Sequence, residues 1–122
     1  MKNFLITLLL LSALSTVLFA CGGNGGNVAI HTSAMSFAQS SVTLKSGQSL
    51  VLINDASDTH MIDLGTWQKG VAQNEQEPGA PQIDNAQLSG NGSLTLGPWK
   101  TPGTYQIYCP MHPNMNLTVV VQ

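Results

Sequence analysis

Short strand-like runs separated by turn residues limit the folds open to this chain more than any other feature of its sequence. Alternating apolar and polar residues favour strands, and clusters of Gly, Pro, Asn and Ser favour turns. No segment after residue 20 has the apolar spacing of an amphipathic helix. The runs span residues 42–44, 49–53, 60–64, 93–96, 104–109 and 117–121. They predict an all-β sandwich or barrel, with a further short strand or helical turn expected within residues 65–92.

The first 20 residues have the composition of a secretory signal peptide. A positive start at Lys2 precedes an almost wholly apolar stretch, residues 4–19, which is short for a membrane-spanning helix. The ending Leu18-Phe19-Ala20-Cys21 resembles a bacterial lipoprotein box, in which the cysteine is lipidated and becomes the mature N-terminus. We therefore expect a signal peptide at 1–20, a lipidated Cys21 with a flexible Gly- and Asn-rich tether at 21–33, and a domain at 34–122. The protein would then be extracytoplasmic and lipid-anchored to a bacterial membrane, either in the periplasm or on the outer face of the cell membrane.

The charge balance argues against one class of partner. After residue 21 the chain has three Lys, no Arg and six Asp plus Glu. A mildly acidic domain is repelled by a phosphate backbone, so no nucleic-acid partner is expected. A chain of this length buries one modest core, and we expect a single domain that is a monomer.

Cys109 is the feature that points to chemistry. If Cys21 carries lipid, Cys109 has no intramolecular partner, and a free thiol in an oxidising compartment is a liability unless something such as a metal holds it. In the run 104–109, Tyr105 and Ile107 share a face with Cys109 that we expect to point inward, because the other face carries polar residues. Cys109 would then end a strand at the rim of the core.

Two further sulfur and nitrogen donors follow Cys109 at intervals of three residues. The motif is Cys-x-x-His-x-x-Met, formed by Cys109, His112 and Met115. A thiolate, two imidazoles and a weak axial thioether form the blue-copper donor set, so the pattern needs one more histidine. His60 follows a buried run and a turn-rich corner and can reach the same rim, whereas His31 falls in or near the predicted tether.

The chain resembles a small cupredoxin of the plastocyanin, amicyanin and azurin group over residues 34–122. The resemblance rests on the strand–Gly–strand unit at 42–54 before His60, the Pro-Gly-Thr-Tyr turn at 102–105, and the Cys–His–Met loop running into a Val-rich strand. The loop has the short spacing of amicyanins. The chain departs from the family at Met61, where Asn is frequent, and at Met111, where short-loop members usually have Pro. The resemblance implies a Greek-key β-sandwich and one copper ion bound by His60, Cys109, His112 and Met115.

The resemblance also implies a function. A single type 1 copper centre cycling between Cu(I) and Cu(II) would make the protein an extracytoplasmic electron carrier, with redox partner proteins docking near His112. The alternative is a periplasmic or cell-surface copper-handling protein, a chaperone or store for Cu(I), to which Met61 and Met111 would add soft donors. Enzymatic activity is not expected: three histidines are too few for a multicopper oxidase, and no nucleophile–base set or phosphate loop is evident.

Overall fold

The computed structural model describes residues 26–122, and in this part of the chain every regular element is a β-strand, as the sequence predicts. Within residues 26–122, nine strands form two sheets. One sheet has the order β1-β3-β7 and the other the order β2-β9-β8-β4-β5, with β6 paired to β4. The strands are β1 (Val28–Thr32), β2 (Ser41–Leu44), β3 (Leu50–Asn54), β4 (His60–Gln68), β5 (Val71–Asn74), β6 (Ala86–Leu88), β7 (Ser93–Leu96), β8 (Gly103–Tyr108) and β9 (Asn116–Val121).

The core collects the inward faces of both sheets in one cluster. Leu50 and Leu52 of β3 are fully buried, as are Leu117 and Val119 of β9, and in each strand the intervening residue is only half-buried. This two-residue alternation is the signature of strands with one face on a core, and it explains why the sequence pattern located these strands well. On β8, Tyr105 and Ile107 point inward, and Cys109 after the strand end is also buried, as expected.

The N-terminal boundary of the domain differs from the prediction. The sequence predicts a tether up to residue 33, but Val28–Thr32 forms β1, which pairs in parallel with β3 from Val28↔Leu50 to Thr32↔Asn54. Ile30 and Thr32 are buried on the inner face of this strand. The prediction was wrong here because this five-residue strand lacks a clear alternation of apolar and polar residues: Ala29 is exposed, whereas the polar Thr32 is buried.

The segment 65–92 holds the second half of β4 and two short strands, in line with the expected short strand. Gly65 divides β4 in two: Asp63 and Leu64 pair with β8, while Gly65 to Gln68 pair with β5. Gly65 has a φ of 133°, and a Cβ atom there would lie 2.0 Å from the Gln73 carbonyl oxygen. Only glycine fits this bend, at which the β4–β5 hairpin begins.

The predicted signal peptide at 1–20, the lipidation site Cys21 and the start of the predicted tether lie outside the described residues. Within residues 26–122, no helix is long and apolar enough to cross a membrane.

Candidate metal centre

Three side chains converge at one end of the sandwich. The Nδ1 atoms of His60 and His112 lie 3.2 Å apart, and the Cys109 Sγ lies 3.8 Å from the first and 3.4 Å from the second. His60 and Cys109 are fully buried, and His112 is half-buried. In the described part of the chain this is the one group of three His, Cys, Asp or Glu residues placed to hold a metal ion.

The separations of these donor atoms suit three-fold coordination. With metal–nitrogen and metal–sulfur bonds of about 2.1 and 2.3 Å, a trigonal site would place its donor atoms about 3.6 to 3.8 Å apart. The observed triangle, with sides of 3.2, 3.4 and 3.8 Å, is within a few tenths of an ångström of this. A thiolate with two imidazoles is a donor set that suits copper, so the residues present fit the metal that the resemblance implies.

His60 is held on its far side by a backbone carbonyl. Its Nε2 lies 2.8 Å from the Ser33 carbonyl oxygen. A carbonyl can only accept, so Nε2 carries the proton and Nδ1 is left free to bind a metal. Ser33 follows β1, and the correct placement of His60 therefore depends on the strand that the sequence pattern missed.

Asn54 builds the corner that leads into His60. This side chain is buried, and its Nδ2 donates to the Asp58 and Ser89 carbonyl oxygens at 2.6 and 3.3 Å. Its Oδ1 accepts from the Ala56 backbone N–H at 3.1 Å and from the Thr32 hydroxyl at 3.2 Å. The bonds to Ala56 and Asp58 hold residues 55–59 as a turn, and the other two tie Asn54 to Thr32 and Ser89, so His60 starts β4 at a defined position.

The loop from Cys109 to Met115 is closed by its own backbone. The Cys109 N–H donates to the Met115 carbonyl oxygen at 3.0 Å, the His112 N–H to that of Cys109 at 3.3 Å, and the Met115 N–H to that of His112 at 3.2 Å. Asn114 has a φ of 63°, a left-handed conformation that Asn adopts more readily than most residues. The result is a compact double turn that brings His112 back over the Cys109 sulfur.

Met115 lies at the end of this loop with its side chain buried in the core. The loop is otherwise open to solvent: Met111 is 56% exposed, and Pro113 and Asn114 are exposed as well. His112 thus sits in an exposed turn, whereas His60 and Cys109 are enclosed.

The structure therefore brings together His60, Cys109 and His112, with Met115 buried at the end of the same loop. His31 is not part of the cluster: it lies on β1, and its Nδ1 is 2.8 Å from an Asp55 carboxylate oxygen at the surface. Sequence reasoning missed the contribution of Ser33, because a backbone carbonyl leaves no trace in residue type. It also missed Asn54, although a lone Asn closing a β-branched run before a turn-rich corner is a usable signal.

Next to Cys109 in the chain, Tyr108 of β8 is paired with Asp63 of the neighbouring β4. Burial raises the pKa of the Tyr108 phenol above its usual value, a side-chain hydrogen bond with Asn74 lowers this pKa, and the nearby Asp63 carboxylate raises it. The Asp63 Oδ1 accepts from the Asn85 backbone N–H at 2.8 Å.

Comparison with known proteins agrees with this geometry. Solved structures similar to this one include a reduced amicyanin with a proline-to-phenylalanine substitution, at 18% identity and a TM-score of 0.59, covering 79% of this chain and 82% of that chain. The amicyanin of Paracoccus versutus (Thiobacillus versutus) is similar at 19% identity and a TM-score of 0.58, covering 79% of this chain and 81% of that chain. These matches confirm the cupredoxin type of β-sandwich.

No curated protein matches the chain by sequence. The sequence profile described as "Copper binding proteins, plastocyanin/azurin family" matches residues 25–122, which is most of the chain and includes every described residue. Because this match covers both sheets and every residue of the candidate centre, the chain belongs to the plastocyanin/azurin family of copper binding proteins, with copper as its cofactor.

Proposed function

We propose that this protein is an electron carrier whose single copper ion is held by His60, Cys109, His112 and Met115. The observation that carries the proposal is the convergence of the Cys109 Sγ with the Nδ1 atoms of His60 and His112 within 3.8 Å. Copper bound there supplies one-electron chemistry between Cu(I) and Cu(II). The protein's part is to hold the donor atoms so that little moves when the charge changes.

The four residues have different roles in this proposal. Cys109 is buried at the end of β8, so its thiolate is shielded from oxidants and from other thiols. His60 is fixed by the Ser33 carbonyl. Met115 is buried at the end of the segment from Cys109 to Met115, which we call the ligand loop, and its thioether would be a weak fourth donor.

His112 is the point of contact with partners. Its ring is half-buried in a loop whose neighbours Met111 and Pro113 are exposed, so an apolar rim surrounds the histidine edge. A redox partner protein that covers this rim approaches the metal through one ligand. Electron-transfer interfaces are small, and a rim of this kind suits a brief encounter. The proposed role is that of a carrier and not of an enzyme.

The location is a separate part of the proposal. The apolar segment and the lipoprotein-like box ending at Cys21 support an extracytoplasmic protein anchored by lipid. If this is right, the protein made from the full-length chain in a bacterial host partitions with membranes, and Cys21→Ser releases it or leaves it unprocessed. Recovery of the unsubstituted protein in the soluble fraction with an unmodified Cys21 would contradict the anchor without bearing on the copper centre.

The test of the carrier function is the colour and the electrochemistry of the purified protein. With Cu(II) it should bind one ion and show an intense visible thiolate-to-copper band that Cys109→Ala removes. His112→Ala should alter the band, and His31→Ala, the matched histidine outside the cluster, should not. Reversible one-electron cycling with the metal retained supports the carrier. Delivery of copper to an acceptor protein favours copper handling instead, and a colourless Cu(II) complex rules out the blue-copper assignment.

A further inference from the structure

Trp67 and Asn116 are joined by a reciprocal pair of hydrogen bonds. The Trp67 backbone N–H donates to the Asn116 Oδ1 at 2.8 Å, and the Asn116 Nδ2 donates to the Trp67 carbonyl oxygen at 3.3 Å. These residues belong to β4 and β9, which are not neighbours in the sheet, because β8 lies between them. The pair is therefore a side-chain link across β8 and not part of the ladder of strand pairing.

Trp67 also holds the other end of the ligand loop. Its indole Nε1–H donates to the Cys109 carbonyl oxygen at 2.9 Å, the same oxygen that accepts the His112 backbone N–H at 3.3 Å. Since Asn116 directly follows Met115, the contacts of Trp67 reach both ends of the segment from Cys109 to Met115. We call Trp67 and Asn116 the bracket.

The ligand loop has reason to need such a bracket. The Cys109 sulfur and the two imidazole nitrogens lie 3.2 to 3.8 Å apart, and before metal binding the protein itself must keep them at these distances. The loop is exposed at Met111, and its three internal backbone bonds alone would leave it free to move as a unit. A loop already held in its bound form binds its metal more tightly, because less ordering remains to be done.

The neighbourhood of His60 does not supply this link. Met61, the residue after His60, is paired with Gln87 of β6, and its thioether is at best a weak acceptor. The link is made by Trp67, which lies seven residues after His60 in the part of β4 that forms the hairpin with β5. The bend at Gly65 separates this hairpin from the part of β4 that pairs with β8.

We propose that Trp67 and Asn116 are positioning residues that hold the ligand loop in its metal-binding form before the metal arrives. Neither residue belongs to the donor set. The proposal rests on the proposed function only for the identity of the metal, because its structural part concerns the metal-free protein.

The first experiment uses the metal-free full chain. Amide hydrogen exchange is measured at His112 and Met115 in the unsubstituted protein, in Asn116→Leu, and in Thr118→Val as the matched control. Thr118 lies two residues along β9 on the same face, and its hydroxyl donates to the Gln106 Oε1 at 3.1 Å, away from the ligand loop. Asn116→Leu should speed exchange at the loop amides at least tenfold more than Thr118→Val does. The two variants should lose a similar amount of stability to urea.

The second experiment measures copper affinity in the same variants. Removal of a residue that orients metal ligands typically lowers metal affinity about 10- to 100-fold. Asn116→Leu should fall in this range and shift the visible band, whereas Thr118→Val should do neither. If Asn116→Leu does not fold, Trp67→Phe serves in both experiments, since it keeps an aromatic ring and both backbone bonds and removes only the indole donor.

The outcomes separate the bracket from the carrier function. Equal loop exchange and equal copper affinity in Asn116→Leu and Thr118→Val would overturn the bracket. A colourless Cu(II) complex of the unsubstituted protein would overturn the carrier function, and the exchange experiment would still decide the bracket. Slower loop exchange in Asn116→Leu than in the unsubstituted protein would show that the side chain strains the loop, which also contradicts the proposal.

Discussion

His60 donates through Nε2 to the Ser33 carbonyl oxygen at 2.8 Å, which leaves its Nδ1 facing the Cys109 Sγ at 3.8 Å. His60 is fully buried, whereas His112 is half-buried in an exposed loop. The two imidazoles offer the same atom to the site but are not equivalent, because one is fully buried and the other can be reached from solution.

The first prediction follows from this inequality. In His112→Gly, removal of the ring opens a channel from solvent to the vacated position, so imidazole added with Cu(II) should restore the thiolate-to-copper band. In His60→Gly the vacated space is enclosed, and imidazole should restore much less of it. The measurement is an imidazole titration followed by visible absorption. Equal recovery in both variants would show that burial of His60 does not limit access.

Most strands, and the grouping of His60 with Cys109 and His112, could be predicted from the sequence because their signals are local in the chain. Strands with one face on a core show a two-residue period, as β3 and β9 do, and the short spacing from Cys109 to Met115 is local in the chain. The contacts that orient these residues are long-range. Ser33 acts on His60 through a carbonyl, and Trp67 of β4 donates to the carbonyl of Cys109 after the neighbouring β8, so neither contact produces a pattern in residue type.

The second prediction concerns the bend in β4. Gly65→Ala and Gly70→Ala both place a methyl group at a positive φ, 133° and 74°. At Gly70 nothing lies within 4 Å of the added atom, so only backbone strain of about 1 kcal/mol is expected. At Gly65 the atom would lie 2.0 Å from the Gln73 carbonyl oxygen, and a loss of about 3 kcal/mol or more is expected.

Urea unfolding of the metal-free protein measures both losses. Because Gly65 begins the hairpin that contains Trp67, Gly65→Ala should also weaken copper binding, and Gly70→Ala should not. Similar stabilities for the two variants would mean that β5 moves aside without resistance.

The third prediction uses Tyr108 in the metal-free protein. Burial, opposed by the bond with Asn74 and assisted by the Asp63 carboxylate, raises the pKa of the Tyr108 phenol above its value in the unfolded chain. The folded state therefore keeps a proton that the unfolded state loses near pH 10. The associated stability is fully present below about pH 10 and is lost as the pH rises through the folded-state pKa.

Urea unfolding across the alkaline range tests the Tyr108 prediction. Tyr108→Phe, which cannot ionise, should show a shallower loss of stability above about pH 10 than the unsubstituted protein, since Tyr105 remains in both. Asp63→Asn should lower the pKa of Tyr108 by removing the neighbouring negative charge. Identical slopes with and without the Tyr108 hydroxyl would contradict the assignment.

The fourth prediction concerns Met111, whose side chain is 56% exposed between Pro110 and His112. The backbone bonds of the ligand loop use the N–H groups of Cys109, His112 and Met115, and that of Met111 is not among them. We expect this N–H, two residues after the thiolate, to donate to the Cys109 sulfur when copper is bound. Such a bond withdraws electron density from the sulfur and weakens its donation to Cu(II) more than to Cu(I), which raises the reduction potential.

Two substitutions separate the backbone of Met111 from its side chain. Met111→Pro removes the N–H and should lower the reduction potential, because the thiolate then donates more strongly to Cu(II). Met111→Leu keeps the N–H with a side chain of similar size and should leave the potential nearly unchanged. Voltammetry measures both potentials, and an intact visible band in each variant checks that the copper site is retained. Equal shifts in the two variants would assign the effect to the exposed side chain, and the hydrogen bond to sulfur should then be abandoned.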